Sequence, residues 1–194
     1  MAQPTWKILL GTTTFVIPVT ITVLDVFGYV AKVEGASMQP CLNPVEEKGV
    51  DYVFLNRWRV RHFNFKRGEI VSLSAPNNPD QKIIKRIIGL EGDTVRTLTY
   101  KNRHVRIPEG HCWIEGDHHG HSMDSNLFGP VALGLITAKA NRIVWPPHRW
   151  QVLPQHYPED RVNSLSSLQP NPVSHNNSTS YKGSSGTNIP TNTT

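Results

Sequence analysis

The chain has 194 residues, the length of one ordinary domain with short extensions. Hydrophobic residues make up 38% of it, a low share for a globular protein, which predicts that part of the chain does not pack. The net charge of +5 permits an anionic partner such as lipid, but it is lower than the dense positive charge of most nucleic-acid-binding proteins. The two cysteines exclude a disulfide-rich scaffold, and without a C-x-x-C pair there is no zinc ribbon.

The N-terminus carries a candidate membrane segment. Residues 8–24 contain no charge, and only Asp25 interrupts the run before Lys32. Such a stretch lies at the lower limit of a bilayer span, whereas the full length of 8–31 would cross comfortably. A cleaved signal peptide and a buried core helix are the alternatives, but no clear small-x-small cleavage site follows the apolar run. We therefore predict a flank over residues 1–7 and a single transmembrane anchor over 8–31.

Short β-branched or aromatic segments dominate the middle of the chain, and Gly, Pro, Asn and Asp separate them as in an antiparallel sheet or barrel. No helical periodicity continues there for three turns. The predicted strands cover residues 51–56, 69–74, 82–90, 93–98, 104–107 and 111–116. This pattern predicts one mostly β domain over residues 32–160.

The composition changes at Asn163. From there the chain is mostly Ser, Thr, Asn, Pro and Gly, with Lys182 as its one charge. Such a segment cannot bury enough apolar surface to offset the entropy of ordering. We therefore predict a disordered polar tail over residues 161–194.

Ser37 follows the predicted anchor, in the segment VEGASMQPCLNP (33–44). Its small neighbours would let a substrate backbone approach, and Pro40 ends any regular structure there. A serine at this place would lie just above the membrane surface. On local composition alone, however, an ordinary serine in a turn is the simpler explanation, so its role stays open at this point.

Lys85 lies in an apolar stretch, QKIIKRIIGLEGD (81–93). Under strand alternation it shares its face with Ile83 and Ile87, which would point a lysine into an apolar layer. Lysine is rarely buried unless it is paired or functional, and burial lowers its pKa, which would make it a usable general base. The simpler alternative is a lysine at a sheet edge whose amine reaches solvent.

A third segment, residues 115–131, concentrates polar side chains. They are Asp117, His118, His119, His121, Ser122, Asp124 and Ser125. Imidazoles and carboxylates are zinc ligands, but their spacing here fits neither H-E-x-x-H nor a Cys/His pattern. A polar loop that binds the backbone and supports a neighbouring active site is the better interpretation.

Residues 56–68 combine six Lys, Arg or His side chains with aromatic ones. Contact with an anionic membrane surface is one interpretation, at about 1 kcal/mol per basic residue. Nucleic acid is a second one, without any recognition motif to support it. A solvated strand–turn–strand is the simplest, and the composition does not decide among the three.

Three of these segments resemble the motifs of the type I signal peptidase family, namely those at 33–44, 81–93 and 115–131. They follow one another in this order behind the apolar N-terminal segment. The nucleophile motif Ser-Met-x-Pro matches residues 37–40, and the lysine motif, Lys-Arg followed by Gly-x-x-Gly-Asp, matches 85–93. The third motif, Gly-Asp followed by Ser-x-Asp-Ser, matches 116–125, and Phe-Gly-Pro follows at 128–130. The order and spacing agree over residues 8–150.

The resemblance implies a Ser–Lys dyad, in which Ser37 attacks the scissile carbonyl and neutral Lys85 takes its proton. It also implies that Ser122 holds the Lys85 amine and that Asp124 supports the loop. The backbone N–H of Ser37 would bind the oxyanion. No metal and no cofactor are implied.

Two positions depart from the family pattern. Bacterial members often place a serine two residues before the nucleophile, where its hydroxyl helps bind the oxyanion, whereas this chain has Gly35. Losing one such donor costs on the order of 10²-fold in rate unless it is replaced. Many relatives carry Arg two residues after the motif's Asp, whereas this chain has Asn126, which predicts the loss of an ion pair with a nearby carboxylate. The second departure resembles the mitochondrial branch of the family.

The fold expected from the resemblance is a signal-peptidase-like antiparallel β domain behind a single N-terminal transmembrane helix. The function expected is removal of N-terminal sorting peptides, with small residues preferred before the cut, from proteins sent to the mitochondrial intermembrane space. The enzyme would lie in the inner membrane with its catalytic domain facing that space. The implied partners are precursor proteins, inner-membrane lipid and a related peptidase subunit in a heterodimer, and no nucleic acid.

Two alternatives stay open. One is a peptidase of the same mechanism in another membrane, bacterial or thylakoid. The other is a catalytically silent, membrane-tethered β domain that stabilises a partner peptidase or binds anionic lipid. Gly35 and Asn126 favour the silent domain, whereas the presence of Ser37, Lys85, Ser122 and Asp124 argues against it.

Overall fold

The N-terminal segment folds as one helix. In the computed structural model, which describes residues 5–47 and 49–163, helix α1 covers Thr5–Phe27. It ends before the predicted anchor does, because Gly28 adopts a φ of 141° and begins to pair with the next strand. No helix in the described part of the chain is long and apolar enough to cross a membrane. The crossing predicted over 8–31 is therefore not confirmed.

The described residues form two antiparallel sheets and a few short helices. The strands are β1 Gly28–Lys32, β2 Tyr52–Asn56, β3 Ile70–Ala75, β4 Asn78–Leu90, β5 Thr94–Arg96, β6 His104–Arg106, β7 His111–Glu115, β8 Val131–Ala132, β9 Ile136–Trp145, β10 Gln151–Val152 and β11 Val162–Asn163. Helix α2 covers Ser125–Phe128, and short 3-10 helices cover Trp58–Val60, His119–His121, Leu133–Leu135, Pro147–Arg149 and Glu159–Arg161. The larger sheet has the order β1-β2-β9-β3-β4-β7-β8, with β10 added to β9, and the smaller has β11-β5-β6.

The mostly antiparallel β class predicted from the sequence is confirmed, and β2 to β7 lie where strands were predicted. The central strand β9 was not predicted individually. Its inward positions include Ala138 and Ala140, and alanine is a weak strand former. The burial of β9 therefore comes from its two neighbours, β2 and β3, rather than from its own composition.

Two apolar clusters lie on opposite faces of β4. Ile84 packs with the first cluster, which includes Met38 and Leu42, whereas Ile83 and Ile87 belong with the second. This alternation is the one expected of a strand buried on both faces. Because Ile84 packs with Met38 and Leu42, the segment that follows Ser37 lies against β4, the strand that carries Lys85.

The C-terminal boundary of the domain lies later than predicted. Residues 161–163 were assigned to a disordered tail, but Val162 and Asn163 form β11, which pairs with β5. The side chain of Arg161 is buried and ion-paired, so it belongs to the folded domain. Residues 164–194, the rest of the predicted tail, lie outside the described residues.

Candidate active site

The loop that carries Ser37 is fixed at both ends. Met38 and Leu42 are buried in the first apolar cluster, and the N–H of Leu42 donates to the carbonyl of Met38 at 2.9 Å. Further along, the N–H of Asn43 donates to Asp51 Oδ2 and the N–H of Asp51 donates to Asn43 Oδ1, both at 2.8 Å. Because hydrophobic packing and reciprocal hydrogen bonds both restrain this loop, the position of Ser37 is set by the fold.

Lys85 meets Ser37 across the fold. The structure places Lys85 Nζ 2.7 Å from Ser37 Oγ, within hydrogen-bond distance. The lysine is only 3% exposed and shares the strand face of Ile83 and Ile87, as strand alternation predicted. It is therefore a buried lysine and not one whose amine reaches solvent.

The surroundings of Lys85 favour the neutral amine. Burial lowers the pKa of Lys85 below the ordinary value of 10.5, because a buried ammonium loses its hydration. The carboxylates of Asp124 and Asp117 act in the opposite direction, without cancelling the effect of burial. A neutral amine beside a serine hydroxyl has the chemistry of a general base and its nucleophile.

Gly116 lies where the third motif approaches the nucleophile. A Cβ on Gly116 would overlap the carbonyl oxygen of Ser37 and the side chain of Ser122. The N–H of His118 donates to the same Ser37 carbonyl at 3.1 Å. Ser122 and the Ser37 carbonyl thus lie on the same glycine, and Ser122 Oγ is buried with no hydrogen-bond partner among the described residues. The hydrogen bond expected between Ser122 and Lys85 is not formed there.

Asp124 organises the third-motif loop. It is buried and caps helix α2, where its Oδ1 accepts from the N–H of Asn126 at 3.0 Å. Its Oδ2 accepts from the N–H of Gly116 at 3.0 Å, so one carboxylate links the helix to the glycine beside Ser37. The supporting role of Asp124 in catalysis stays a prediction.

The ion pair expected to be lost at Asn126 is made by another residue. Arg161 binds the buried carboxylate of Glu115 with both guanidinium branches, at 2.7 and 2.9 Å. Asn126 Nδ2 also donates to Glu115, at 3.0 Å, as does Trp113 Nε1 at 2.8 Å. Asn126 thus makes a hydrogen bond and no ion pair to Glu115, whereas Arg161 from the C-terminal segment supplies a cation to the same carboxylate.

Sequence reasoning missed a second buried pair next to the dyad. Arg86, which follows Lys85, is 1% exposed and binds Asp117 through two hydrogen bonds of 2.7 and 2.8 Å. It also donates to the carbonyls of Gly68 and Pro154, at 2.8 and 2.7 Å. The guanidinium of Arg86 thus joins β4, the third motif and the C-terminal segment. The one feature of the sequence that indicated a buried pair was a charged residue inside an apolar strand.

Gly35 has a conformational reason to be glycine. Its φ of 88° lies in the left-handed region that side chains rarely adopt. A Cβ there would meet no atom within 4 Å, so space is not the constraint. A side chain at position 35 is therefore disfavoured by the backbone conformation and not by crowding.

An open groove leads to the dyad. It measures about 590 Å³ and lies between residues 29–38 on one side and 81–85 of β4 on the other. On one edge β4 pairs with β3, but on the other it pairs with β7 only from Arg86 onward. Within the described residues, the edge formed by 81–85 thus has no strand partner. An extended peptide could pair with this edge and reach Ser37.

The chain matches a protein family and several known proteins. A family model described as signal peptidase, peptidase S26, matches residues 6–103 and 96–145. Mitochondrial inner membrane protease subunit 2 of Danio rerio is 63% identical over 145 residues, covering 75% of this chain and 79% of that protein. Mitochondrial inner membrane protease subunit 1 of Schizosaccharomyces pombe is 40% identical over 121 residues, covering 60% of this chain and 73% of that protein.

A solved signal peptidase I from Enterococcus faecalis is 22% identical and aligns with a TM-score of 0.34, covering 39% of this chain and 96% of that one. The family model spans most of the described residues, including all three motifs. The resemblance predicted from those motifs is confirmed. The chain therefore belongs to the S26 signal peptidase family.

Proposed function

We propose that this protein is a serine endopeptidase of the mitochondrial inner membrane that removes N-terminal sorting peptides, with Ser37 as nucleophile and Lys85 as general base. Membership of the signal peptidase family supports the peptidase activity. The observation that carries the assignment of residues is the 2.7 Å contact between Lys85 Nζ and Ser37 Oγ, made by a buried lysine.

The proposed reaction begins when Ser37 Oγ attacks the scissile carbonyl carbon and Lys85 Nζ takes the hydroxyl proton. The backbone N–H of Ser37 binds the oxyanion. When the C–N bond breaks, the Lys85 ammonium returns the proton to the leaving amine, and an ester to Ser37 remains. A water molecule, deprotonated by Lys85, then hydrolyses the ester and regenerates the serine. The buried, unpartnered hydroxyl of Ser122 would orient the lysine amine.

The substrate is proposed to bind as an extended strand along the open edge of β4. Residues 81–85 offer backbone groups for pairing, and the groove ends at Ser37 and Lys85. Main-chain pairing provides affinity without requiring a particular sequence, which suits an enzyme that cleaves several precursors. Small residues before the cut would let the scissile carbonyl reach Ser37.

Membrane attachment is proposed to occur through α1. This helix presents apolar side chains to its surroundings, including Phe15, Val19 and Val23, and such a surface is stable only when lipid or protein covers it. The protein is expected to stay in the membrane pellet after alkaline extraction, and its catalytic domain to be degraded by protease added from the intermembrane-space side. Release into the supernatant would contradict the attachment.

A related peptidase subunit is the proposed partner. The relatives of this chain include proteins named subunit 1 and proteins named subunit 2 of the mitochondrial inner membrane protease. We expect the protein to co-purify from detergent extracts with one related S26 subunit in equal amounts. Purification as a fully active single chain would contradict the heterodimer.

The test of the proposed function is processing of a precursor with a bipartite N-terminal sequence by isolated inner membranes. Ser37→Ala is expected to leave the precursor uncut at normal protein abundance. Thr99→Ala, which removes an exposed hydroxyl outside the groove, is the control and should process normally. Unchanged cleavage of every precursor by the Ser37→Ala protein would instead assign the active site to another subunit.

The pH dependence of cleavage should report the Lys85 amine. Only the neutral amine accepts a proton, so kcat/KM is expected to rise with pH through the pKa of Lys85, which burial lowers below 10.5. The measurement is the pH profile of kcat/KM on a soluble peptide, with folding checked by circular dichroism at each pH. A kcat/KM that falls with pH over the range in which Lys85 loses its proton would contradict the role of Lys85 as general base.

Gly116→Ala should impair cleavage by displacing the nucleophile. The added methyl would overlap the Ser37 carbonyl and the Ser122 side chain, and a displacement of about 1 Å in a catalytic group can cost on the order of 10²-fold in rate. Gly134→Ala is the control, because a Cβ there meets no atom within 4 Å. Equal kcat/KM values for the two variants would show that Gly116 does not set the position of Ser37.

A further inference from the structure

The end of α1 is covered by a segment rich in aromatic and basic side chains. The ring of Phe27 stacks on that of Trp58, with centroids 5.6 Å apart and planes within 10°. The N–H of Arg57 donates to the carbonyl of Phe27 at 3.1 Å, and its guanidinium pairs with Asp25 at 3.0 Å. Residues 57–63 are therefore positioned beside the point where α1 leaves the sheet.

A cavity of about 320 Å³ lies next to this segment. Its charged lining consists of Arg59, Lys66, Lys139, Arg142 and Glu69, so positive charges exceed negative ones by three. The sheet register places it at the same end as α1, because Gly28 pairs with Asn56 and Asn56 pairs with Lys139. The cavity and the helix thus approach the same side of the molecule.

Three of the four cations are available to a ligand. Lys139 is ion-paired with Glu69, and both side chains are largely buried. Arg59, Lys66 and Arg142 are exposed, and none of them forms an ion pair with the described part of the chain. Three unpaired cations lining one small cavity supply the positive charge that binds a phosphate group.

The rings beside the cavity identify the source of the phosphate. Trp58 is 48% exposed and Phe63 is 58% exposed. Trp58 stacks on Phe27 at the end of α1 and directly precedes Arg59 of the cavity. An apolar helix is followed here by aromatic rings and then by basic residues. A bilayer has the same sequence of layers, from acyl chains through the interface to the headgroups. A soluble anion would not require the exposed rings.

We propose that the cavity bounded by Arg59, Lys66 and Arg142 binds the phosphate of an anionic phospholipid, while Trp58 and Phe63 enter the membrane interface. The catalytic domain would then rest on the bilayer instead of being held by α1 alone. This inference depends on the membrane attachment in the proposed function, and it adds a headgroup site to it.

The test uses the full chain in neutral-detergent micelles, with brominated phospholipids that quench tryptophan fluorescence. Brominated phosphatidylglycerol is expected to quench at a mole fraction on the order of 10²-fold lower than brominated phosphatidylcholine, from about 1 kcal/mol for each of three cations. Replacing Arg59, Lys66 and Arg142 together by Gln should abolish this preference. The measurement is made with Trp6, Trp145 and Trp150 replaced by Phe, and in that background Trp58→Phe should remove most of the quenching.

A charge-matched variant supplies the control. Changing Lys101, Arg103 and Arg106 to Gln removes the same charge from an exposed region on the smaller sheet and should leave the preference for phosphatidylglycerol intact. Equal loss in both triple variants, or equal quenching by the two lipids, would overturn the site. Competition by inorganic phosphate at the concentration of the lipid would overturn the assignment to lipid.

Cleavage of a soluble peptide in the same micelles separates this inference from the proposed function. The cavity variant should cleave the peptide at the wild-type rate, because its three residues do not touch the dyad or the groove. A failed lipid site would remove only the lipid preference. If the protein were not a peptidase, every preparation, including wild type, would lack cleavage whatever its lipid preference.

Discussion

Lys85→Met is expected to lower kcat/KM by at least about 10³-fold, within the range that general acid–base catalysis contributes. The substitution removes the base that lies 2.7 Å from Ser37 Oγ while filling the same apolar surroundings. Lys85→Arg should be as inactive, because a guanidinium keeps its proton and cannot act as a base. Steady-state cleavage of a peptide that spans a sorting-peptide junction measures both variants.

Two further results separate lost catalysis from lost folding. The pKa of Lys85 is lowered in the folded state, so the unfolded chain binds the proton more tightly, and stability rises with pH between the folded value and 10.5. At neutral pH the lysine therefore lowers the free energy of unfolding, and Lys85→Met should be at least as stable as wild type in urea. Lys101→Met, at an exposed lysine outside the groove, should keep wild-type cleavage. Substantial activity in Lys85→Arg would contradict the role of Lys85.

Arg161→Ala is expected to lower the free energy of unfolding by about 3–5 kcal/mol, the usual effect of leaving a buried charge without its partner. The charge is the carboxylate of Glu115, which is 1% exposed and immediately precedes Gly116. Arg96→Ala is the matched control. Its pair with Asp160 is largely exposed, and such pairs contribute at most about 1 kcal/mol. Urea unfolding monitored by tryptophan fluorescence measures the difference.

The pH dependence of stability gives a second readout of this pair. Burial by itself would raise the pKa of Glu115, but hydrogen bonds from Arg161 and Trp113 hold it below 4.5. The stability from the pair is therefore fully present above pH 4.5 and is lost as the pH falls through the lower folded value. In Arg161→Ala, stability should instead begin to change above pH 4.5, where the isolated carboxyl takes up a proton.

A second substitution tests whether Glu115 needs a guanidinium partner. Asn126 Nδ2 already lies 3.0 Å from Glu115, so Asn126→Arg offers a guanidinium to the same carboxylate. Added to Arg161→Ala, it should recover part of the lost stability. If Arg161→Ala lowers the free energy of unfolding no more than Arg96→Ala does, the ion pair between Arg161 and Glu115 does not support the third motif.

Local patterns were sufficient to predict much of the architecture. Alternation of apolar residues located β2 to β7 and placed Lys85 on the face of Ile83 and Ile87, because a strand has a period of two. The change in composition located the end of the domain to within a few residues. The three motifs were recognisable because their residue types and order are specific in combination.

The features that were missed depend on distant parts of the chain. Arg161 meets Glu115 across 46 positions, and a single basic residue at the start of a polar tail carries no local signal of burial. The alanines of β9 reveal a strand only when β2 and β3 flank them. The tight fit of Gly116 against Ser37 likewise follows from the packing of two loops and not from either segment alone.

The most direct test of the central claim is a double-mutant cycle on Ser37 and Lys85, measured as kcat/KM with one peptide substrate. If the two residues act as one unit, the Ser37→Ala/Lys85→Met protein should lose no more activity than the worse of the two single variants. Losses that multiply in the double variant would show that the residues act independently. Wild-type cleavage by either single variant would exclude the dyad altogether.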